Sequence, residues 1–270
     1  MQFALNHSIL PRQRFAALAT LARDLDLSHV EIRNDLPDVE LADGTPPDTV
    51  RRQAANAGLR IATINALQRF DDWTDTRAQQ AEALAQAAGA CGAAALVLCP
   101  VNDTQDRRGD AEKAAGLRHA LTELAPILSA HGLTGLVEPL GFAQCALRTK
   151  RAALDAIDAA GVGASIRLVH DSFHHFLAGE TELFSDRTGL VHVSGVEDRS
   201  LPRTAITDAH RVLVGDADIL DTLGQVRALV AGGYRGLISM EPFAPALQTH
   251  PDLHAALRDS FALLRAAANG

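Results

Sequence analysis

With 270 residues, 47% of them hydrophobic, the chain can bury roughly three quarters of its unfolded surface without a disulfide or metal staple. Its 33 acidic against 25 basic side chains, net charge −8, argue against nucleic acid as a partner, because neutralising phosphates needs a Lys/Arg excess. No apolar run approaches the ~20 residues that span a bilayer, and no CxxC pair occurs among Cys91, Cys99 and Cys145, so neither a membrane partner nor a thiolate zinc site is expected.

Short apolar runs alternate with longer helical stretches. The predicted strands, in chain order, are Phe3–Asn6, His29–Ile32, Ile61–Asn65, Ala94–Leu98, Gly135–Val137, Ile166–His170, Leu190–Val193 and Leu237–Met240. They are mostly apolar rather than alternating, as expected for parallel strands covered by helices. Between them, Phe15, Leu18, Ala22 and Leu25 form an apolar helical stripe. Ile219, Leu223, Val226 and Val230 form another, with Asp218 as its expected N-cap. Leu253, Leu257, Phe261 and Leu264 form the last, with Pro251 expected in its first turn. Gly58, Gly132 and Gly232-Gly233 precede strands and predict left-handed helix ends. Eight strand–helix units in this length predict a single α/β domain, a (β/α)8 TIM barrel over residues 1–270. A doubly wound sheet is the alternative, but Asn6-His7-Ser8 is not the Gly-rich first turn it usually carries.

The first residues, MQFALNHSILPRQR, lack the basic start and apolar run of a secretory leader, and a reducing cytoplasm is the expected compartment. In such a barrel the chemistry sits where strands end. Those ends carry Asn6-His7, Glu31 to Arg33, Asn65, Pro100, Glu138, His170-Asp171, His192 and Glu241. One strand-end carboxylate is ordinarily solvated or ion-paired, and one strand histidine is ordinarily a bonded core residue. Glu138, Asp171, His192 and Glu241 instead fall on four successive strands, an arc whose ends converge. Three carboxylates and an imidazole without a cation would repel. One divalent metal ion removes the conflict, and the oxygen-rich donor set suits Mn²⁺, Mg²⁺ or Co²⁺ better than Zn²⁺. His174, three residues past Asp171, is placed to bend over the mouth. His175 is expected to be exposed, and His170 to point away from the mouth. Ser194 to Asp218, which contains Arg211, has no strong periodicity and reads as a functional or disordered loop. His7 and Trp73 are candidates for shaping the pocket, although a lone Trp near a helix start is more often packing.

These residues resemble the xylose isomerase-like TIM-barrel superfamily, and within it the 2-keto-myo-inositol (inosose) isomerases. The resemblance rests on Glu31-Ile32-Arg33, Asn65-Ala66-Leu67, Glu138 with Gly141 and Gln144-Cys145, Asp171 to His174, His192 with Glu197-Asp198, Thr207-Asp208 with Arg211 and Gly215, and Glu241 with Phe243. The chain departs from that pattern at Gly215-Asp216-Ala217, where Gly-x-Gly is expected, and at Val193-Ser194-Gly195, where acidic residues are more usual. The resemblance implies that Glu138, Asp171, His192 and Glu241 are metal ligands and that His174 and Arg211 contact substrate, with Asn65 assigned to the same substrate site. It implies a small-molecule polyol or sugar ketone partner, and conversion of 2-keto-myo-inositol to 1-keto-D-chiro-inositol by enediol proton transfer. Glu138 and Glu241 would be the proton-transfer pair, their order left open. A hydride shift is the mechanistic alternative, but no strand-end lysine is available to assist it. A ketose 3-epimerase or hydroxypyruvate isomerase uses the same constellation, and a non-catalytic sugar-binding barrel is the alternative from another class. The superfamily's DNA-repair endonucleases need further histidines where this chain has Asn65 and Cys99-Pro100. Oligomeric state stays open, a homo-oligomer included.

Overall fold

Each apolar run becomes a strand in a computed structural model that describes residues 1–270. The order is β1 (Gln2–Asn6), α1 (Phe15–Asp24), β2 (His29–Arg33), α2 (Pro47–Asn56), β3 (Arg60–Gln68), α3 (Asp75–Cys91), β4 (Ala95–Cys99) and α4 (Asp110–Ala130). The second half repeats it: β5 (Thr134–Val137), α5 (Lys150–Ala160), β6 (Ile166–Asp171), α6 (Ser172–Ala178), β7 (Thr188–Val193), α7 (Thr222–Ala231), β8 (Leu237–Met240) and α8 (Leu253–Asn269). The eight strands pair in sequence order, all parallel, and β8 closes on β1 through Phe3↔Ile238 and Ala4↔Ser239. This is a single (β/α)8 TIM barrel.

Successive strand residues face opposite sides, and that alternation divides the apolar side chains into two sets. Leu96, Leu98, Val137, Leu168 and Val191 belong to the large core between strands and helices. Their neighbours Val97, Leu136, Val169 and Leu190 form a small separate cluster inside the barrel. Counting two residues onward from the inner set reaches Cys99, Glu138, Asp171 and His192, which fixes the face on which these residues emerge.

Gly58, Gly132 and Gly233 adopt the positive φ expected at helix ends. Two helix starts are corrected. α7 begins at Thr222 rather than just after Asp218, because Asp218 instead ties the preceding loop, accepting from Val196 and Leu220 as well as from the Thr222 N–H. Pro251 stands outside α8, whose cap is Asp252 accepting from the Ala255 N–H at 2.9 Å. The Ser194–Asp218 segment is ordered by two short 3-10 turns and a bridge between Gly195 and Val212. A side chain on Gly195 would meet the Leu213 carbonyl oxygen at 2.7 Å, so only glycine lets this loop lie against β7. No helix is long and apolar enough to cross a membrane.

His170 points away from the mouth as expected, bonded to the Gln225 side chain at 2.9 Å. His175 is not exposed as expected. It is half-buried, with Nδ1 2.6 Å from the Lys150 ammonium, because the short helix α6 turns it toward α5. Burial, and then Lys150, push the His175 imidazole down from 6.5 to about 4. The folded chain therefore binds fewer protons here than the unfolded one. The stability this contributes is complete above pH 6.5 and is lost as pH falls toward 4. Thermal unfolding between pH 7 and 4 should show a shallower fall of midpoint in His175→Gln than in the parent, and equal slopes would contradict the assignment.

Candidate active site at the C-terminal mouth

Four side chains predicted to converge do so. One donor atom from each of Glu138, Asp171, His192 and Glu241 lies within 4.8 Å of the others, and all four residues are buried. His192 is the hub. Its Nδ1 is 2.7 Å from Glu138 Oε1 and 3.3 Å from Glu241 Oε2. Asp171 does two jobs with its two oxygens. Oδ1 accepts from the backbone N–H of Phe173 and His174 and so caps α6, while Oδ2 accepts from Arg211 at 2.7 Å. The cap holds the carboxylate in one orientation and starts the helix that carries His174.

Glu31, named at the end of the second strand but given no role from the sequence, is a further participant. It is fully buried in the middle of β2, and both its oxygens lie 3.1 Å from His192 Nε2. Thr63 Oγ1 donates to Glu31 at 2.6 Å, Asn65 Nδ2 at 3.0 Å and Asn6 Nδ2 at 3.3 Å. Burial alone would raise this carboxyl, but His192 and the hydroxyls of Ser239 and Thr63 outweigh it and bring it down to about 2. Burial alone would equally lower the His192 imidazole, but Glu241, Glu31 and Glu138 raise it well above its ordinary value. The available signal was Val30-Glu31-Ile32, a charge placed by period-two alternation on the inner face of a strand.

Arg211 is the second departure. It lines the cleft, as a substrate contact should, yet it is 1% exposed and already engaged. Nη2 donates to Asp171 and to Glu241 at 3.1 Å, and Nε donates to Ser194 Oγ at 3.0 Å. Its guanidinium lies 4.8 Å from the ring centres of both Phe173 and Phe243. Arg33 adds a second cation, 3.2 Å from Glu241 Oε1. Two guanidiniums therefore offset the carboxylates, and like-charge repulsion does not by itself require a metal ion. Burial, with Glu138 adding to it, still holds the Glu241 carboxyl above its usual range against His192, Arg211 and Arg33.

The cleft above this cluster has a volume of about 490 Å³. Asn65, Glu138, His174, Arg211 and Glu241 all line it, together with Arg33 and Phe243. Asp171 and His192 lie beneath. His174 is buried, and its Nδ1 has no hydrogen-bond partner in the chain. Gly141 brings the loop after β5 onto α6, where a Cβ would collide with the His174 carbonyl oxygen. His7 and Trp73 do not line this cleft. His7 is spent on the Gln13 carbonyl at 2.9 Å, and Trp73 packs against the outer core.

The donor set fits a divalent ion. It offers three carboxylates and an imidazole from converging strands, and the far nitrogen of that imidazole is held by a buried carboxylate, the arrangement that orients a ligating histidine. Among solved structures, the chain matches a xylose isomerase domain-containing protein from Salmonella typhimurium LT2 over 100% of its length and 97% of that chain, with 32% identity and a TM-score of 0.88. It shares the fold of the IOLI protein, described with a binding zinc atom, at 20% identity and a TM-score of 0.86 over 100% of this chain and 98% of that one. An inosose isomerase from Bacillus velezensis is 32% identical over 130 residues, 46% of this chain, and the match spans 45% of that relative. The family model described as xylose isomerase-like TIM barrel matches residues 19–267, and with the strand order and the converging strand ends this places the chain in that family.

Proposed function

We propose that the protein is a metal-dependent isomerase of a polyol or sugar ketone, converting 2-keto-myo-inositol to 1-keto-D-chiro-inositol in the cytoplasm. The observation that carries this reading is the convergence of Glu138 and Glu241 on one buried donor cluster under a cleft large enough for a six-carbon ring. Family membership and the partial match to inosose isomerases support it. The three cysteines are free and buried, in keeping with a reducing compartment.

Glu138, Asp171, His192 and Glu241 would hold the ion, with Mn²⁺, Mg²⁺ or Co²⁺ preferred over Zn²⁺ for an oxygen-rich set. When bound, the ion supplies Lewis acidity toward the substrate's neighbouring oxygens. The chain's own residues do the rest. One glutamate takes the proton from the carbon beside the carbonyl, and the C–H electron pair forms the enediol double bond. The other glutamate delivers a proton to the former carbonyl carbon, while the adjacent hydroxyl passes its proton to the former carbonyl oxygen and becomes the new carbonyl. His174 and Asn65 line the cleft wall, where they would orient substrate hydroxyls. Arg211 stands behind Asp171 and Glu241 and offsets negative charge that develops on oxygen.

Glu31 would hold the proton on His192 Nε2 and so leave Nδ1 available as the ligand atom. Glu31→Gln is expected to lower Mn²⁺ affinity about 10–100-fold, read by competition with a chelator, while circular dichroism stays unchanged. Unaltered affinity would remove Glu31 from this role.

The functional reading is tested by supplying chelated protein with Mn²⁺, Mg²⁺ or Co²⁺ and offering inososes, ketohexoses and hydroxypyruvate in turn. Turnover of an inosose alone supports the proposal. Turnover confined to a ketohexose or to hydroxypyruvate transfers the chain to the epimerase or hydroxypyruvate isomerase reading. Tight binding with no turnover of any of them makes it a sugar-binding barrel.

A further inference from the structure

A cavity larger than the cleft over the carboxylates lies at the other end of the molecule. It has a volume of about 870 Å³ and opens where the strands begin, away from the carboxylate cluster. Its floor includes Ala62, Ala95, Leu136, Leu190 and Leu237, from the lower turns of five strands. Bulky branched side chains ordinarily fill a barrel to its end. Here two of these strands present alanine, and the apolar interior stays open from below.

The rim has the opposite sign to the protein as a whole. Arg51, Arg60, Arg167 and Arg235 line it with a single carboxylate, Asp186, in a chain of net charge −8. None of these four guanidiniums takes part in the chain's salt bridges, which use Arg14, Arg33, Arg52, Arg69, Arg108, Arg151, Arg187 and Arg211. Arg167 is held by the backbone carbonyls of Asp186 and Thr188 at 2.5 and 3.2 Å, and Arg235 by those of Val230 and Tyr234 at 2.8 and 2.7 Å. Carbonyl partners fix a guanidinium in place and leave its charge uncompensated. His29 on the same wall sits below the ordinary imidazole value, chiefly through burial and then through Arg60.

An apolar floor of small-molecule size under a ring of unneutralised arginines is complementary to one kind of occupant. We propose that this cavity is a second binding site, which takes a small organic anion with a hydrocarbon body and a carboxylate or phosphate head. The body replaces water over the alanine and leucine floor, and the head is read by the arginine rim. Thr63 lines the same cavity and donates to Glu31. An occupant therefore rests one residue away from the support of His192.

The test is calorimetric titration of the full chain with octanoate and with octyl phosphate, with 1-octanol and inorganic phosphate as partial probes. The anions with a hydrocarbon body should bind at least tenfold more tightly than either partial probe, and the stronger of the two identifies the head. Arg60 and Arg235 are exposed, so Arg60→Gln with Arg235→Gln leaves packing intact and should weaken binding at least tenfold. Ala95→Leu, which fills the floor, should weaken it further. Octanol binding as tightly as octanoate, or affinity unchanged in the double arginine variant, overturns the proposal. So does a crystal of the complex with the anion at the carboxylate mouth.

Discussion

Glu138→Gln and Glu241→Gln should each lower turnover by about 10²–10⁴-fold at saturating metal, the range general acid–base groups contribute. The amide keeps one oxygen for ligation and loses the ability to take up a proton, so metal affinity should fall less than turnover does. Both residues are buried in a cluster that also holds two guanidiniums, and neither caps a helix or closes a strand pair, so the barrel should stay folded. Asp171→Asn is the informative contrast. Its Oδ1 can still cap α6, and the group has no proton-transfer task, so activity should return largely at high Mn²⁺. Steady-state rates across a metal titration separate the two patterns. If both glutamine variants, saturated with metal, turn over within a few-fold of the parent, the proton-transfer assignment is wrong.

The second large effect concerns stability. Arg211→Met removes a guanidinium that is 1% exposed and leaves Asp171 and Glu241 buried without their shared partner. Breaking one side of a buried ion pair costs about 3–5 kcal/mol, and for a chain of this size that lowers the unfolding midpoint by on the order of 10 °C. The loss should be conditional. A divalent cation supplies positive charge to the same carboxylates, so Mn²⁺ should raise the midpoint of Arg211→Met more than that of the parent. Calorimetry with and without Mn²⁺ reads both quantities. A variant as stable as the parent without metal would show that Arg211 does not compensate these carboxylates.

The eight strands were legible because strands covered on the outside carry continuous apolar runs, and β8 coincides with its predicted span, Leu237–Met240. The ligand candidates were legible for a related reason, since an ionisable residue ending such a run has no packing explanation. Glu31 stands among the strand-end residues in the sequence, but its task was not legible, because only the inner face it shares with Thr63 and Asn65 shows it. The pairing of Arg211 was not legible. It joins a loop without periodicity to a strand 40 residues earlier, and the sequence alone suggested a carboxylate cluster lacking any cation. The start of α7 was misplaced by the same difficulty, because Asp218 resembles a cap but ties two loop amides as well as the first helical one. The lower cavity is not legible in the sequence because it depends on alanines from different strands meeting at one level.

The most direct measurement follows the substrate carbon itself. Protein loaded with Mn²⁺ is incubated with 2-keto-myo-inositol in D₂O, and the proton spectrum is recorded as 1-keto-D-chiro-inositol accumulates. Proton transfer through Glu138 and Glu241 predicts that deuterium appears at the former carbonyl carbon of the product. It also predicts that exchange into substrate and product slows with Glu138→Gln or Glu241→Gln. Product formed with its migrating hydrogen retained in full, at a rate insensitive to either glutamine, would contradict the account and point to a hydride shift.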